Sequence, residues 1–98
     1  MCGIAGCIGS PDAGKILIDA LKRLEYRGYD SAGITLGEEK LRTVKTAGKV
    51  SVLETKLRES GYRGTRGIAH TRWATHGVPS EANAQPHLTE NGTISVVR

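Results

Sequence analysis

Two stretches with helical spacing, set between short runs of strand character, constrain this chain most. Ile16, Leu17, Ala20, Leu21 and Leu24 recur on one face of a 3.6-residue period, and Val50, Leu53 and Leu57 do the same at i, i+3 and i+7. Each apolar stripe needs a partner surface to bury it. That surface has to come from the runs around them: "GIAGCIG" at 3–9, "SAGITLG" at 31–37, "LRTVKTAG" at 41–48, "RGIAHTRW" at 66–73 and "TISVV" at 93–97. The second and third runs are joined by polar residues, which marks a hairpin. The order strand, helix, hairpin, helix, strand, loop, strand predicts an α/β (α+β) fold. Ser10 suits an N-cap, Pro11 the first helical position and Asp12 the positive helix start. Gly28 is the expected stop of the first helix and Gly61 of the second. The polar stretch "ATHGVPSEANAQPHLTENG", with two prolines, reads as one long loop.

Length sets the scale of what can be built. With 98 residues, four aromatics and no Phe, the chain suits one small domain at most, residues 1–98, with a modest aliphatic core. The net charge of +4 does not gather on one stretch. Lys and Arg alternate with acids in "LKRLEYRGYD" and "LETKLRES", which reads as a solvated surface in preference to a nucleic-acid face, so no nucleic-acid partner is expected. The start has no secretory pattern and no apolar run reaches membrane-spanning length, so a cytoplasmic protein with free thiols is expected. Cys2 and Cys7 would alternate across a strand and could not pair. No CxxC pair exists, and His70, His76 and His87 match no ligand spacing, so no metal is expected. The last run reaches the chain end without a turn, as in a domain cut in its middle, and reads as an unpaired edge.

Three places could carry chemistry. Cys2, once Met1 is removed, holds a thiol and a free α-amine on one residue. An α-amine, which ordinarily titrates at about 7.7–8.0, can act as base for its own nucleophile. The cluster "AHTRWATHG" places Arg72, Trp73, Thr75 and His76 at a strand end, with Gly77 admitting a close approach. Arg72 offers a planar fork that matches a carboxylate. His70 still lies inside the strand and fits a structural role better than its neighbours do. In "LEYRGYDSAGI", Arg27 and Asp30 lie in a turn and are expected to support the site through turn chemistry and an ion pair.

Together the segments "CGIAGCIG", "LEYRGYDSAGI", "GKV", "GIAHTRWATHG", "PSEANAQPH" and "ISVV" carry a resemblance. In order and spacing the chain resembles the start of the glutaminase domain of the glutamine–fructose-6-phosphate aminotransferase family, a class II glutamine amidotransferase. The resemblance implies an N-terminal-nucleophile hydrolase fold, an αββα sandwich of which this chain holds the N-terminal portion. It implies that Cys2 attacks the side-chain amide of L-glutamine, that Arg72 binds the substrate carboxylate, and that Trp73, Thr75 and His76 line the pocket. It implies no cofactor, and ammonia passing to a sugar-isomerase domain in a longer protein that forms homo-oligomers only at full length. Amidophosphoribosyltransferase is the related alternative, and a non-catalytic glutamine-binding module is another. Two departures stand out. Gln85 occupies the place of a family histidine, and the family's oxyanion donors follow the last residue here. Losing one such donor costs about 100- to 1,000-fold in rate, so the 98-residue chain is expected to be impaired alone.

Overall fold

A computed structural model describes residues 3–25, 30–72, 84–89 and 95–97. The first strand, β1 (Gly3–Ile8), leads into helix α1 (Ala13–Leu24). Asp12 holds the cap position of α1 without a side-chain bond of its own. Ser10 acts from two residues upstream: its Oγ accepts from Asp12 N at 3.2 Å and its carbonyl from Ala13 N at 3.2 Å. Strands β2 (Ser31–Gly37) and β3 (Leu41–Ala47) form the expected hairpin. Helix α2 (Val50–Ser60) ends on Gly61, whose φ of +70° is the left-handed conformation that terminates helices. Strand β4 (Arg66–Arg72) follows. Two short strands, β5 (His87–Leu88) and β6 (Ser95–Val96), pair with each other.

The main sheet has the order β1-β4-β2-β3, antiparallel throughout. Strands β1 and β2 therefore run parallel, as do β3 and β4. Helix α1 makes the first crossover and lies against β1 and β4; α2 makes the second and lies against β2 and β3. Both helices cover the same face. The core between them joins Leu17, Ile18, Leu21, Ile34, Leu36, Val50, Leu53 and Ala69. Each buried Leu or Ile contributes about 1.5–3 kcal/mol relative to exposure.

The buried arc of α1 is shifted from the expected one. Ile18 is buried, whereas Ile16 is 45% exposed. The cause is α2, which packs alongside. Lys22, one turn beyond Ile18, reaches Glu54 of α2 at 2.9 Å, so the flank of α1 carrying 18 and 22 is the one that meets its neighbour. Glu54 is held below the usual carboxylate range, first by this hydrogen bond. A second carboxylate serves α2 differently: Glu25, at the end of α1, accepts from Val50 N at 2.8 Å and so caps the helix start that Lys49 leaves bare. Helix α1 ends at Leu24, ahead of Gly28, which lies outside the described residues.

The second face of the sheet corrects two expectations. The long loop is interrupted by β5, and the final run is not an unpaired edge, since Ser95 and Val96 oppose Leu88 and His87. This small pair sits over β2, all seven residues of which are buried. Thr35 Oγ1 lies 2.8 Å from Thr43 Oγ1 and 2.8 Å from Ser95 Oγ. The described residues thus form three layers, helices on a sheet on a second, smaller strand pair. Over β1 the described residues leave the second face open: Ile4 is 53% exposed and Ile8 85%. Cys7, on the helix side of β1, is a free thiol packed at the edge of the core.

Candidate functional site

The site grows from one end of the sheet. Because β1 and β4 are antiparallel, the start of β1 meets the finish of β4: Gly3 pairs with Thr71, and Ser31 of β2 pairs with Arg72. Gly3 is the chain neighbour of Cys2. The topology therefore brings the start of β1 against the finish of β4, across 68 positions of sequence. The space a Gly3 side chain would fill is taken by Thr71 Oγ1 at 2.8 Å and Leu24 Cδ1 at 2.9 Å. Glycine is needed there for packing under α1.

Asp30 ties this end together. Its N–H donates to the Arg72 carbonyl at 2.7 Å, its carbonyl accepts from Gly48 N at 2.8 Å, and its Oδ1 accepts from Ser31 Oγ at 3.1 Å. One residue thus joins the ends of β3 and β4 at the start of β2. The other half of the expected support, Arg27, lies outside the described residues, as do Cys2, Trp73, Thr75, His76 and Gly77.

His70 is fully buried within β4, between Ile4 and Gly33. It shares the second face with Arg72, two residues on. The segment Ala84–Gln85–Pro86 is buried on the same side. A Cβ added to Gly33 would fall on the main-chain carbonyl of Gln85, and 2.9 Å from Pro86 Cδ. The Gln85–Pro86 backbone therefore lies directly on β2. The next residue, His87, titrates below the ordinary value of 6.5, first through desolvation and then through the charges of Lys45 and Arg72. Three basic groups from β3, β4 and β5 converge here, and the neutral imidazole is favoured between two cations. Sequence reasoning singled out Arg72 and missed Lys45 and His87 as its companions. Their one cue was the glycine in the middle of β2, which signals close backbone approach.

A cavity of about 580 Å³ opens elsewhere, on the helix side, beside Asp12, Lys15, Leu57 and Arg63. It includes none of the residues at the end of β4. Among the described residues no three His, Cys, Asp or Glu cluster to hold a metal, and no helix is long and apolar enough to cross a membrane.

Comparison with known proteins adds to this geometry. Glutamine–fructose-6-phosphate aminotransferase [isomerizing] of Clostridium tetani is 55% identical over 98 residues, 99% of this chain and 16% of that protein. The Thermus thermophilus protein of the same name is 51% identical over the same span, and that of Rhizobium meliloti 56% over 95 residues. The chain spans about a sixth of the length of these curated relatives. Among solved structures, the glutamine phosphoribosylpyrophosphate amidotransferase from B. subtilis, complexed with ADP and GMP, superposes with a TM-score of 0.75 at 29% identity. The match covers 93% of this chain and 20% of that one. A structure described as the allosteric regulatory enzyme of purine biosynthesis gives 0.79 at 31%. No family model matches the chain. The shared fold is the N-terminal portion of the N-terminal-nucleophile amidotransferases, an antiparallel sheet with its two helices. Sequence separates the two branches that share it: 51–56% identity on one side, 29–31% on the other.

Proposed function

Because the chain belongs to the glutamine–fructose-6-phosphate aminotransferase family, as the counterpart of its N-terminal sixth, we propose that it supplies the glutaminase end of such an enzyme. L-glutamine is the substrate. The Cys2 thiol, deprotonated by the α-amine freed on removal of Met1, attacks the side-chain amide carbon. A carbon–sulfur bond forms, the carbon–nitrogen bond breaks, and the protonated amine returns its proton to the departing ammonia. Water then attacks the thioester, releasing glutamate and restoring the thiol. Arg72 grips the substrate α-carboxylate bidentately; Trp73, Thr75 and His76 complete the pocket, and Arg27, Asp30 and Gly77 support it. Ammonia is passed to a sugar-isomerase domain, where fructose 6-phosphate is converted to glucosamine 6-phosphate. The protein works in the cytoplasm, without a cofactor, as a homo-oligomer at full length.

The observation that carries this reading is the register of β1 on β4. It pairs Gly3, which follows Cys2 in sequence, with Thr71, which precedes Arg72, and this supports a reading in which the nucleophile and the carboxylate grip work together. The alternative of a glutamine-binding module without chemistry gives no reason for a cysteine at position 2 of the sequence.

The test uses a polypeptide of the length of the relatives, incubated with glutamine and with an electrophilic glutamine analogue such as a diazo ketone. Glutamate release, and label on the peptide that begins with Cys2, are expected; Cys2→Ser abolishes both. Saturable glutamine binding with neither label nor release would replace this reading by the binding module.

A further inference from the structure

Gly33 stands in the middle of β2, between Lys45 of β3 and His70 of β4. Its place is not open. An added Cβ would meet the Gln85 carbonyl oxygen, with the Gln85 carbonyl carbon at 2.7 Å and Pro86 Cδ at 2.9 Å. Two of these are main-chain atoms, which cannot rotate away as a flexible side chain can. The clash is relieved only by lifting the segment off the sheet. What that segment positions is His87, the next residue, which lies in the field of Lys45 and Arg72. Two residues along β2 from Gly33, Ser31 pairs with Arg72 itself.

We infer that Gly33 is a positioning residue for substrate binding: by carrying no side chain, it seats Gln85–Pro86 on β2 and so sets the height of that segment over the end of the sheet where Ser31 pairs with Arg72. The inference rests on the glutaminase reading above and deepens it. It assigns to Gly33 the spacing between the two layers at the carboxylate grip. It gives no role in bond making, which belongs to Cys2. Thr35, two residues further, fastens the second layer through its hydroxyl's hydrogen bond with Ser95, while Thr43 of the neighbouring strand β3 holds the same hydroxyl from within the sheet. The rail along β2 therefore has a steric contact near the site and a hydrogen-bonded one away from it.

The separation of binding from chemistry is what an experiment reads. In the polypeptide that hydrolyses glutamine, Gly33→Ala should raise KM for glutamine about tenfold or more, since displacements of about 1 Å are costly in a preorganised site. The kcat at saturation should stay within about threefold. Pro86→Gly loosens the same segment with the residues of β2 unchanged, and should raise KM in the same sense, with circular dichroism confirming the folded state. If Gly33→Ala does not fold, Pro86→Gly decides alone. An unchanged KM in a folded variant, or a fall in kcat with KM unchanged, overturns the role of Gly33 and leaves the glutaminase reading standing. Absence of glutamate release by the unaltered protein overturns both.

Discussion

The two faces of the four-stranded sheet are built on different principles. The helix face is a conventional apolar core, where Leu17, Leu21, Ile34 and Leu53 interlock. Its energy comes from area removed from water and varies smoothly with side-chain volume. The second face at β2 is made of Ser31, Gly33 and Thr35, small or polar groups that are nonetheless buried. There the contacts are a backbone laid on a glycine and a hydroxyl shared among three side chains. The first face stabilises the fold, and the second sets the relative position of layers. Damage to the first should appear as lost stability with binding intact, and damage to the second as lost binding at smaller cost in stability.

The sharpest break of that contrast is Leu53→Ala. Loss of a fully buried leucine should cost about 2–5 kcal/mol and lower Tm in thermal unfolding, while KM for glutamine in the surviving folded protein stays within about twofold. A marked KM shift would show that the faces are not separable. Thr35→Val follows. It keeps shape but strips two hydroxyls of their shared partner, at about 1–3 kcal/mol. Hydrogen exchange should quicken at 87–88 and 95–96 and remain slow in α1; uniform quickening would refute a local fastening.

The smallest expected effect concerns His87. Its pKa is lowered in the folded state, so between that value and 6.5 the unfolded chain binds more protons. Its contribution to stability is complete above 6.5 and declines as pH falls from there to the lowered value. From about pH 7 to about pH 5, Tm of the wild type should fall more than Tm of His87→Gln. Equal slopes would mean that His87 does not sense Lys45 and Arg72.

Legibility in the sequence followed the range of the interactions. Local signals were readable: the i, i+3, i+7 spacing of α2, its stop at Gly61 and the β2–β3 hairpin. Which flank of α1 is buried was not, because Ile16 and Ile18 differ only in where α2 lies. The order β1-β4-β2-β3 was equally hidden, since pairing Gly3 with Thr71 leaves no mark within either strand. Strand β2 reads as one side of a half-solvated hairpin, since Ser, Gly and Thr alternate with Ala, Ile and Leu. A second layer of strands buries those polar positions, and periodicity cannot register a cover supplied from residue 85 onward. At the candidate site, the chemistry of Arg72 marks it from sequence as a candidate carboxylate partner. Lys45 and His87 were not, because what selects them is proximity across three strands.

The crossed order of the strands also has a consequence in time. Strand β1 is made first, yet its partner in the sheet, β4, is completed 68 positions later. At about 5–20 residues per second on the ribosome, that interval is about 3–14 s. Throughout it β1, whose neighbour in the sheet is β4, stays unpaired and is fixed in place only when the sheet is nearly complete.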